Sequence, residues 1–236
     1  MQRAKLARAA ASLVWIIALP GLLAGQATTT GRASAASTLP PAIPIMPMRD
    51  VVLFPTLSVP LHVVEPRDRA MVLDALKGDR IIGIVLRRPE SDPDFVEGPT
   101  PSIFPIGCAG AITNVETVAD GGYDIVLQAV ARFRITREDT GKPYRIAQVT
   151  AIPEARRADE TSALQAERQR LETLLAGLSG RIGMGPVPQG RSDETFVNGV
   201  AQRVDIDPLD REKLLEQAGP LARARLLIDL LKKTTP

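Results

Sequence analysis

The spacing of apolar residues changes once along the chain, at about Pro153, and this change restricts the fold more than any other feature of the sequence. Before it, apolar residues come in short runs or alternate with polar ones, as in Ile81–Leu86 and Tyr123–Leu127, which is typical of β-strands. After it, leucines recur every three or four residues, which is typical of amphipathic helices. The sequence therefore predicts an α+β fold, with a β-rich subdomain over residues 40–154 and a small α-helical bundle over residues 155–236.

Short β-strands are predicted at the apolar runs of the first part. They are expected at Val51–Phe54, Ile81–Leu86, Ile103–Val118, Tyr123–Leu127, Phe133–Ile135 and Tyr144–Val149. Between the third and the fourth, Asp120 with Gly121 and Gly122 indicates the tight turn of a hairpin. Around the fifth, Arg132 and Arg134 alternate with the apolar residues, so we expect these arginines to face water.

Helices are predicted from capping residues and apolar faces. One lies among the strands, and four follow in the second part: Pro66–Lys77, then Leu164 to Leu178, Asp193 to Val204, a helix capped by Asp207 and ended by Gly219, and a last one from Pro220 to Lys233. Glu167 and its charged neighbours are expected to lie mostly off the apolar face of their helix. A loop rich in glycine and proline is expected over residues 177–190.

Residues 1–35 have the layout of a targeting segment. The basic residues Arg3, Lys5 and Arg8 come first, and the apolar run Leu13–Leu23 follows them. The small residues Ala33-Ser34-Ala35 come next and have the pattern of a cleavage site. This order is typical of a secretory signal peptide followed by a flexible tether, which predicts a periplasmic or secreted protein. The apolar stretch is also long enough for an uncleaved inner-membrane anchor. A start codon assigned too early, with a cytoplasmic chain beginning near Met46, is the third interpretation.

The charge balance argues against a nucleic-acid binder. Four of the 29 basic residues and none of the 27 acidic ones fall within residues 1–35, so the remainder has 25 basic and 27 acidic residues. Proteins that bind nucleic acids depend on a surplus of basic residues to neutralise phosphates. The single cysteine, Cys108, excludes an intramolecular disulfide and argues against a cysteine-based zinc site. A small buried residue is the favoured interpretation for it.

The polar motifs predict no catalytic, cofactor-binding or metal-binding residues. His62 is the only histidine, and no serine has the G-x-S-x-G surroundings of a nucleophile elbow, so a structural histidine is favoured over a catalytic one. The G-x-x-x-x-G-K-[ST] pattern of a phosphate loop is absent, and the glycines of Gly183–Gly190 indicate a linker. The carboxylates of the stretch Glu90–Glu97 indicate a solvated acidic loop rather than a calcium site.

Two separated motifs and a later helix stand out in this chain. They are the run Ile45–Pro55 with Val59–Val63, the run Gly107–Ile112 with Asp120–Gln128 and Arg132–Ile135, and the helix containing Asp210–Glu216. Together they resemble the Lon protease amino-terminal (substrate-binding) domain family over about residues 40–233, and the first of them is similar to the opening strand pair of that domain. Thr56 departs from the family, which usually has glycine there, so we expect the turn after Phe54-Pro55 to differ.

The resemblance implies a fold and a class of activity. The fold is a PUA-like β-barrel subdomain followed by a helical subdomain, and the activity is recognition of unfolded or degradation-marked polypeptides. In full-length Lon proteases, ATP hydrolysis and the Ser–Lys peptidase dyad belong to later domains. We therefore expect a non-enzymatic member without those domains and without a cofactor.

Five residues of the first motif are candidates for peptide binding: Met46, Met48, Phe54, Pro55 and His62. Apolar side chains interleave with proline here, and methionine is adaptable at surfaces that bind many partners. The alternative is that each of these side chains belongs to the barrel core. The hypothesis is that some of them line a groove for an apolar or extended peptide, which would bind by strand addition to a free sheet edge.

The leading interpretation is an ATP-independent polypeptide-binding domain, exported or membrane-tethered. Its partners would be unfolded polypeptides and a separate protease to which it is an adaptor, unless it acts as a holdase. Contact with a membrane would involve only the amino-terminal segment. Two alternatives stay open: an assembly module that uses the terminal helix residues Leu221 to Leu231, and a hydrolase built on the same scaffold.

Overall fold

The structure, a computed structural model, describes residues 39–92, 94–96, 100–139, 141–155, 157–178 and 192–233. Three predictions fall partly or wholly outside these ranges: the targeting segment, the glycine-rich loop and the acidic stretch. Within the described ranges, no helix is both long enough and apolar enough to cross a membrane.

Strands and helices follow one another, and from Pro66 onwards their order is the one that the apolar pattern predicts. They are β1 (Ala42–Met48), β2 (Ser58–Val63), α1 (Pro66–Lys77), β3 (Ile81–Arg87), β4 (Ile103–Thr117), β5 (Tyr123–Asp139), β6 (Arg145–Ile152), α2 (Thr161–Gly177), α3 (Asp193–Arg203), α4 (Pro208–Glu216) and α5 (Pro220–Lys233). A single 3-10 turn, Ala158–Glu160, precedes α2. The α+β prediction is confirmed.

The strands close into a barrel through the length of β5. The sheet order is β2-β5-β4-β3-β1-β6, and β6 also pairs with β5. The amino-terminal half of β5 pairs with β2, whereas its carboxyl-terminal half pairs with β6, as at Arg134 and Thr150. Only β1 and β3 are parallel among these pairs. The ring leaves β2 as the one strand that pairs on a single side in the described sheet.

Capping residues set several helix ends, at α1 and at the start of α4 as predicted and at α3 through a residue that was not predicted. Helix α1 has the predicted bounds, with Pro66 at its start and Gly78 past its end. The Asp207 carboxylate accepts a hydrogen bond from the Leu209 backbone N–H at 2.8 Å, which caps α4. The Ser192 hydroxyl caps α3 in the same way through the Thr195 N–H. These caps satisfy amide groups that a helix start leaves without partners.

The prediction of a strand at Val51–Phe54 is wrong. These residues form a loop, and the strand lies earlier, at Ala42–Met48, where two prolines conceal its pattern. The two opening strands also do not pair with each other, because β1 pairs with β3 and β6 whereas β2 pairs with β5. The segments predicted at Tyr123–Leu127 and Phe133–Ile135 are one continuous strand.

The turn after Phe54-Pro55 contains a backbone conformation that favours glycine. Thr56 has a φ of 67°, in the left-handed region, and this is the position at which the chain departs from the family pattern. A β-branched side chain is strained there. The Thr195 hydroxyl donates a hydrogen bond to the Thr56 hydroxyl at 3.2 Å, which offsets part of that strain.

Phe133 occupies the interior of the barrel, and two glycines make room for its ring. It is fully buried with Ile43 and Ile45 in a cluster of its own. A Cβ atom placed on Gly83 would lie 2.7 Å from Phe133 Cζ, and one placed on Gly107 would lie 2.8 Å from the same atom. Side chains at these two positions would therefore overlap the ring.

The prediction that Arg132 faces water is wrong, because its side chain is 1% exposed. It forms an ion pair with Glu154. Its guanidinium also donates hydrogen bonds to the carbonyls of Leu215, at 2.7 Å, and Gln217, at 2.6 Å. Carbonyls at a helix end lack partners within the helix. Arg132 therefore joins the barrel to the end of α4.

Arg223 of α5 completes this joint from the other side. Its guanidinium donates to the Leu214 carbonyl at 3.0 Å and to the Asn198 side chain at 2.6 Å, and lies 3.3 Å from the Glu154 carboxylate. The Asn198 amide in turn donates to the Pro55 carbonyl at 2.8 Å. The loop before β2 is thereby tied to the helices.

Two glutamates of the helical part are buried. Glu167 of α2 was expected off the apolar face, but it is 8% exposed and lies within 3.4 Å of both Arg170 and Arg225. Glu212 of α4 is 2% exposed, and neither of its carboxylate oxygens has a hydrogen-bond partner among the described residues. Burial raises the pKa of the Glu212 carboxyl to about 8.

Candidate functional site

The five candidate peptide-binding residues have different exposures. Met46, Phe54 and Pro55 are buried, Met48 is partly buried and His62 is exposed. Direct contact with a peptide is therefore open only to Met48 and His62 in this structure. The peptide-binding role of the five residues stays a prediction.

The free edge of β2 offers little backbone for strand addition. The Leu57 carbonyl accepts a hydrogen bond from the Ala129 N–H of β5. Along an antiparallel strand, every second residue directs its backbone groups towards the paired strand. Ser58, Pro60 and His62 therefore direct theirs away from β5, towards the free edge. Pro60 has no N–H to donate. The Ser58 carbonyl already accepts from the Gln202 side chain at 3.1 Å. One outward residue, His62, keeps both backbone groups available.

His62 is held by two carboxylates at the hairpin. Its Nδ1 lies 2.6 Å from Asp124 and its Nε2 lies 3.1 Å from Asp120, so both ring nitrogens are engaged. The hydrogen bond with Asp124 raises the pKa of His62 above its usual value, and Asp120 acts in the same direction. No set of three or more His, Cys, Asp or Glu side chains in the described part of the chain is arranged to hold a metal ion.

Cys108 is the buried residue that the sequence predicted. Its side chain is fully inaccessible to solvent. Burial raises the pKa of its thiol to about 12, which disfavours the nucleophilic thiolate.

A groove of about 650 Å³ lies between the end of β3, the loop after it and the first turn of α4. Its volume is within the range of ligand sites in proteins. It is lined by Arg49, Leu86, Arg87, Arg88, Pro89, Glu90, Ser91, Phe95, Asp207, Pro208 and Leu209. We call it the β3–α4 groove. Its walls combine apolar side chains with a row of arginines.

Strand register brings two of those arginines together. Met48 and Leu86 are Cα partners in the parallel pair of β1 and β3, so Arg49 and Arg87 each directly follow one member of that pair, and both line the groove. The partly buried candidate Met48 thus lies next to the groove. Arg49 and Arg87 were not predicted from the sequence as candidate site residues. The feature that could have indicated them is a basic residue directly after each of two apolar runs.

These two arginines lack partners, unlike their neighbour. Arg88 lies over the Phe104 ring at 4.3 Å and pairs with Asp92 at 2.9 Å. Neither Arg49 nor Arg87 forms a side-chain hydrogen bond or ion pair with any described residue. The groove therefore presents two guanidinium groups that have no partner in the described part of the chain, together with apolar side chains.

A second groove, of about 700 Å³, runs between α2 and α5. The carboxylate of Glu167 lines it and is shared by Arg170 and Arg225, so these three charged groups are paired within the chain. The apolar residues Leu227 and Leu231 of α5 are buried in the chain's own core. Charges of both signs therefore line this groove, whereas arginines without partners in the described part of the chain line the β3–α4 groove.

Comparison with known proteins identifies the family. The family described as the ATP-dependent protease La (LON) substrate-binding domain matches residues 42–233. The chain belongs to this family. Lon protease 2 of Myxococcus xanthus is 27% identical to it over 83% of the chain and 24% of that protein. Lon protease of Flavobacterium johnsoniae is 31% identical over 79% of the chain and 23% of that protein. The Lon-type chain thus spans about a quarter of the length of these relatives.

Solved structures confirm the fold of the Lon-type chain. The N-terminal domain of a Mycobacterium avium complex Lon protease superimposes with a TM-score of 0.60 at 23% identity, covering 81% of this chain and 98% of that one. A Lon N-terminal domain protein from Xanthomonas campestris gives a TM-score of 0.55 at 18% identity, covering 80% and 97%. The six-stranded sheet and the helices after it are therefore those of this domain class.

Proposed function

We propose that this chain binds extended, unfolded polypeptide segments reversibly and without ATP, in the β3–α4 groove. The single observation that carries the proposal is the groove itself, in which Pro89, Phe95 and Leu209 stand beside unpaired arginines. Membership of a substrate-binding domain family supports it. An unfolded chain exposes apolar side chains that a folded one buries, so apolar walls select for it.

The chemistry of the site is that of binding rather than catalysis. The only histidine has both ring nitrogens engaged by carboxylates. The only cysteine is buried. Without nucleotide turnover, each binding event is an equilibrium, and a single groove of this size gives modest affinity.

The cellular role we propose is that of an adaptor to a separate protease, or of a holdase for unfolded chains. The location we propose is outside the cytoplasm or at the inner membrane, on the basis of residues 1–35. Both roles require the same reversible engagement of unfolded segments. They differ in whether a protease is recruited.

The test is binding of the purified protein to a permanently unfolded model protein, with its folded form as the comparison and no nucleotide present. Ser91→Trp places a bulky ring in the groove, where Ser91 is exposed. Ser162→Trp is the matched control, since Ser162 is an exposed residue of α2 outside the groove. We expect selective binding to the unfolded form, loss of binding with the first variant and no change with the second. Equal binding of both forms would overturn the proposal.

Hydrogen–deuterium exchange locates the bound segment. Occupation of the groove should slow exchange of amides over residues 87–91, whereas strand addition should slow exchange at His62. Protection confined to β2 would move the site to the sheet edge. We expect protection at the groove, because Pro60 and Gln202 leave the edge with few free backbone groups.

A further inference from the structure

Arg49 and Arg87 are exceptional among the arginines that the structure describes. Of these, only Arg49, Arg87 and Arg134 form no side-chain hydrogen bond, ion pair or ring contact with the chain. Two of the three, Arg49 and Arg87, line the β3–α4 groove. Adjacent like charges are unfavourable unless an anion lies between them.

No acidic residue in the described part of the chain forms an ion pair with Arg49 or Arg87. Asp207 also lines the groove, and its carboxylate accepts the capping bond from the Leu209 N–H at 2.8 Å. Asp92 is held by Arg88. Glu90 lines the groove and makes no ion pair with either arginine. A carboxylate from outside the chain therefore meets two unsatisfied guanidinium groups, each with a planar set of donors suited to it.

The apolar walls stand within the same cavity as these cations. Phe95 and Pro89 come from the loop after β3, and Pro208 and Leu209 come from the first turn of α4. One extended peptide that occupies the groove would therefore meet both apolar and cationic side chains.

We infer that the β3–α4 groove selects polypeptide segments in which an aspartate or glutamate stands next to a large apolar residue, with the carboxylate bound between Arg49 and Arg87. The inference rests on the proposed function and specifies its substrate class. It also assigns Glu90 a role, since its negative charge at the same groove opposes an acidic segment. Basic segments are disfavoured by the two arginines.

The experiment measures the affinity of the full chain for three short fluorescent peptides by anisotropy. They share the same leucine and phenylalanine residues and carry aspartate, asparagine or lysine beside them. We expect the aspartate peptide to bind about tenfold more tightly than the lysine peptide, with a preference that shrinks as salt rises from about 50 to about 300 mM.

Variants separate the groove from general surface charge. Arg49→Gln with Arg87→Gln should abolish the preference for the aspartate peptide and leave the asparagine peptide little changed. Arg134→Gln removes the third unpaired arginine, which is exposed on β5 outside the groove, and should have no effect. Glu90→Gln should strengthen binding of the aspartate peptide.

The outcomes distinguish this inference from the proposed function. Equal affinity for all three peptides, or loss of the preference with Arg134→Gln but not with the groove pair, would overturn the inference and leave polypeptide binding intact. Failure of all three peptides and of the unfolded model protein to bind would overturn both. Circular dichroism of each variant confirms that it is folded before affinities are compared.

Discussion

Arg132 and Glu154 form an ion pair at the joint between the barrel and the helices, and the arginine side chain is 1% exposed there. Arg223 approaches the same carboxylate at 3.3 Å, so two buried cations share one anion. Both guanidinium groups also hold carbonyls at the end of α4. The joint is therefore a polar network whose members depend on one another.

Replacing Arg132 with Met should strongly destabilise the fold. The substitution leaves the Glu154 carboxylate with one partner and removes this donor from the buried Leu215 carbonyl and the partly buried Gln217 carbonyl, so we expect a loss of about 3–5 kcal/mol in the free energy of unfolding. Urea denaturation followed by circular dichroism measures it. The control is Arg134→Met, two residues along β5, which is exposed and should change stability by less than about 0.5 kcal/mol. Similar losses for both variants would contradict the role of the joint.

Replacing Glu212 with Met should stabilise the protein, and more so at alkaline pH. Burial raises the pKa of this carboxyl from 4.5 to about 8, the nearby Glu216 adds to the rise, and Arg88 opposes it. Between those two pH values the folded state keeps a proton that the unfolded state has released, so stability falls as pH rises through the window. We expect a gain on the order of 2–4 kcal/mol at pH 8.5 and little gain at pH 4.5.

Unfolding measured across that pH range checks the Glu212 prediction. The matched control is Glu116→Met, since Glu116 is an exposed glutamate of β4. A pH profile of stability that is the same for the Glu212 variant and the native chain would show that this carboxyl is not responsible for the decline.

Replacing Gly83 with Ala should cost stability through the Phe133 ring. The added methyl would lie 2.7 Å from Phe133 Cζ, so the ring must shift within a packed barrel, and we expect a loss of about 1–3 kcal/mol. Phe133→Leu removes the atom that is in the way. The double variant should therefore lose less than the sum of the two single losses in a thermal or urea melt. If the two losses in the free energy of unfolding add up in the double variant, the Gly83→Ala methyl group does not act through the Phe133 ring.

At position 56 we expect glycine to be more stable than alanine. Both substitutions remove the hydroxyl that contacts Thr195, but only alanine keeps a Cβ at a φ of 67°, so the difference between the two variants should be about 1 kcal/mol in favour of glycine. Ser58 of β2 is the comparison site, since extended backbone there should give the opposite order. Thermal melts of the four variants decide it.

Local signals predicted the parts of the fold that depend on a few neighbouring residues. Helix α1 has its predicted bounds because Pro66 and Gly78 act on their own turns, and Asp207 caps α4 for the same reason. The two prolines of β1 break the apolar pattern that would predict this strand. The strand tolerates them because each lies where only one neighbour pairs, Pro44 beside β6 and Pro47 beside β3. The prediction that Arg132 faces water is wrong because the carbonyls at the end of α4 bind its side chain. The alternation of residues along β5 carries no information about those carbonyls.

The candidate site was predicted less well than the fold. Of the five candidate residues, Met48 lies next to the β3–α4 groove, whereas Phe54 and Pro55 are buried where the barrel meets the helices. The groove is assembled from three stretches that are far apart in the chain, around Arg49, Arg87 and Leu209. Only the parallel register of β1 and β3 brings the first two together, and no local pattern encodes that register.

The closure of the barrel sets the order in which a growing chain can finish folding. Strand β1 is made first, yet Ala42 finds its partner Gln148 only when β6 has left the ribosome. The carbonyls that hold Arg132 arrive later still, with α4. Strand β3 can pair with one side of β1 early, but the side that faces β6 stays open until β6 is made. Whatever handles the nascent chain in that interval meets a partly folded polypeptide of the kind that this domain is proposed to bind.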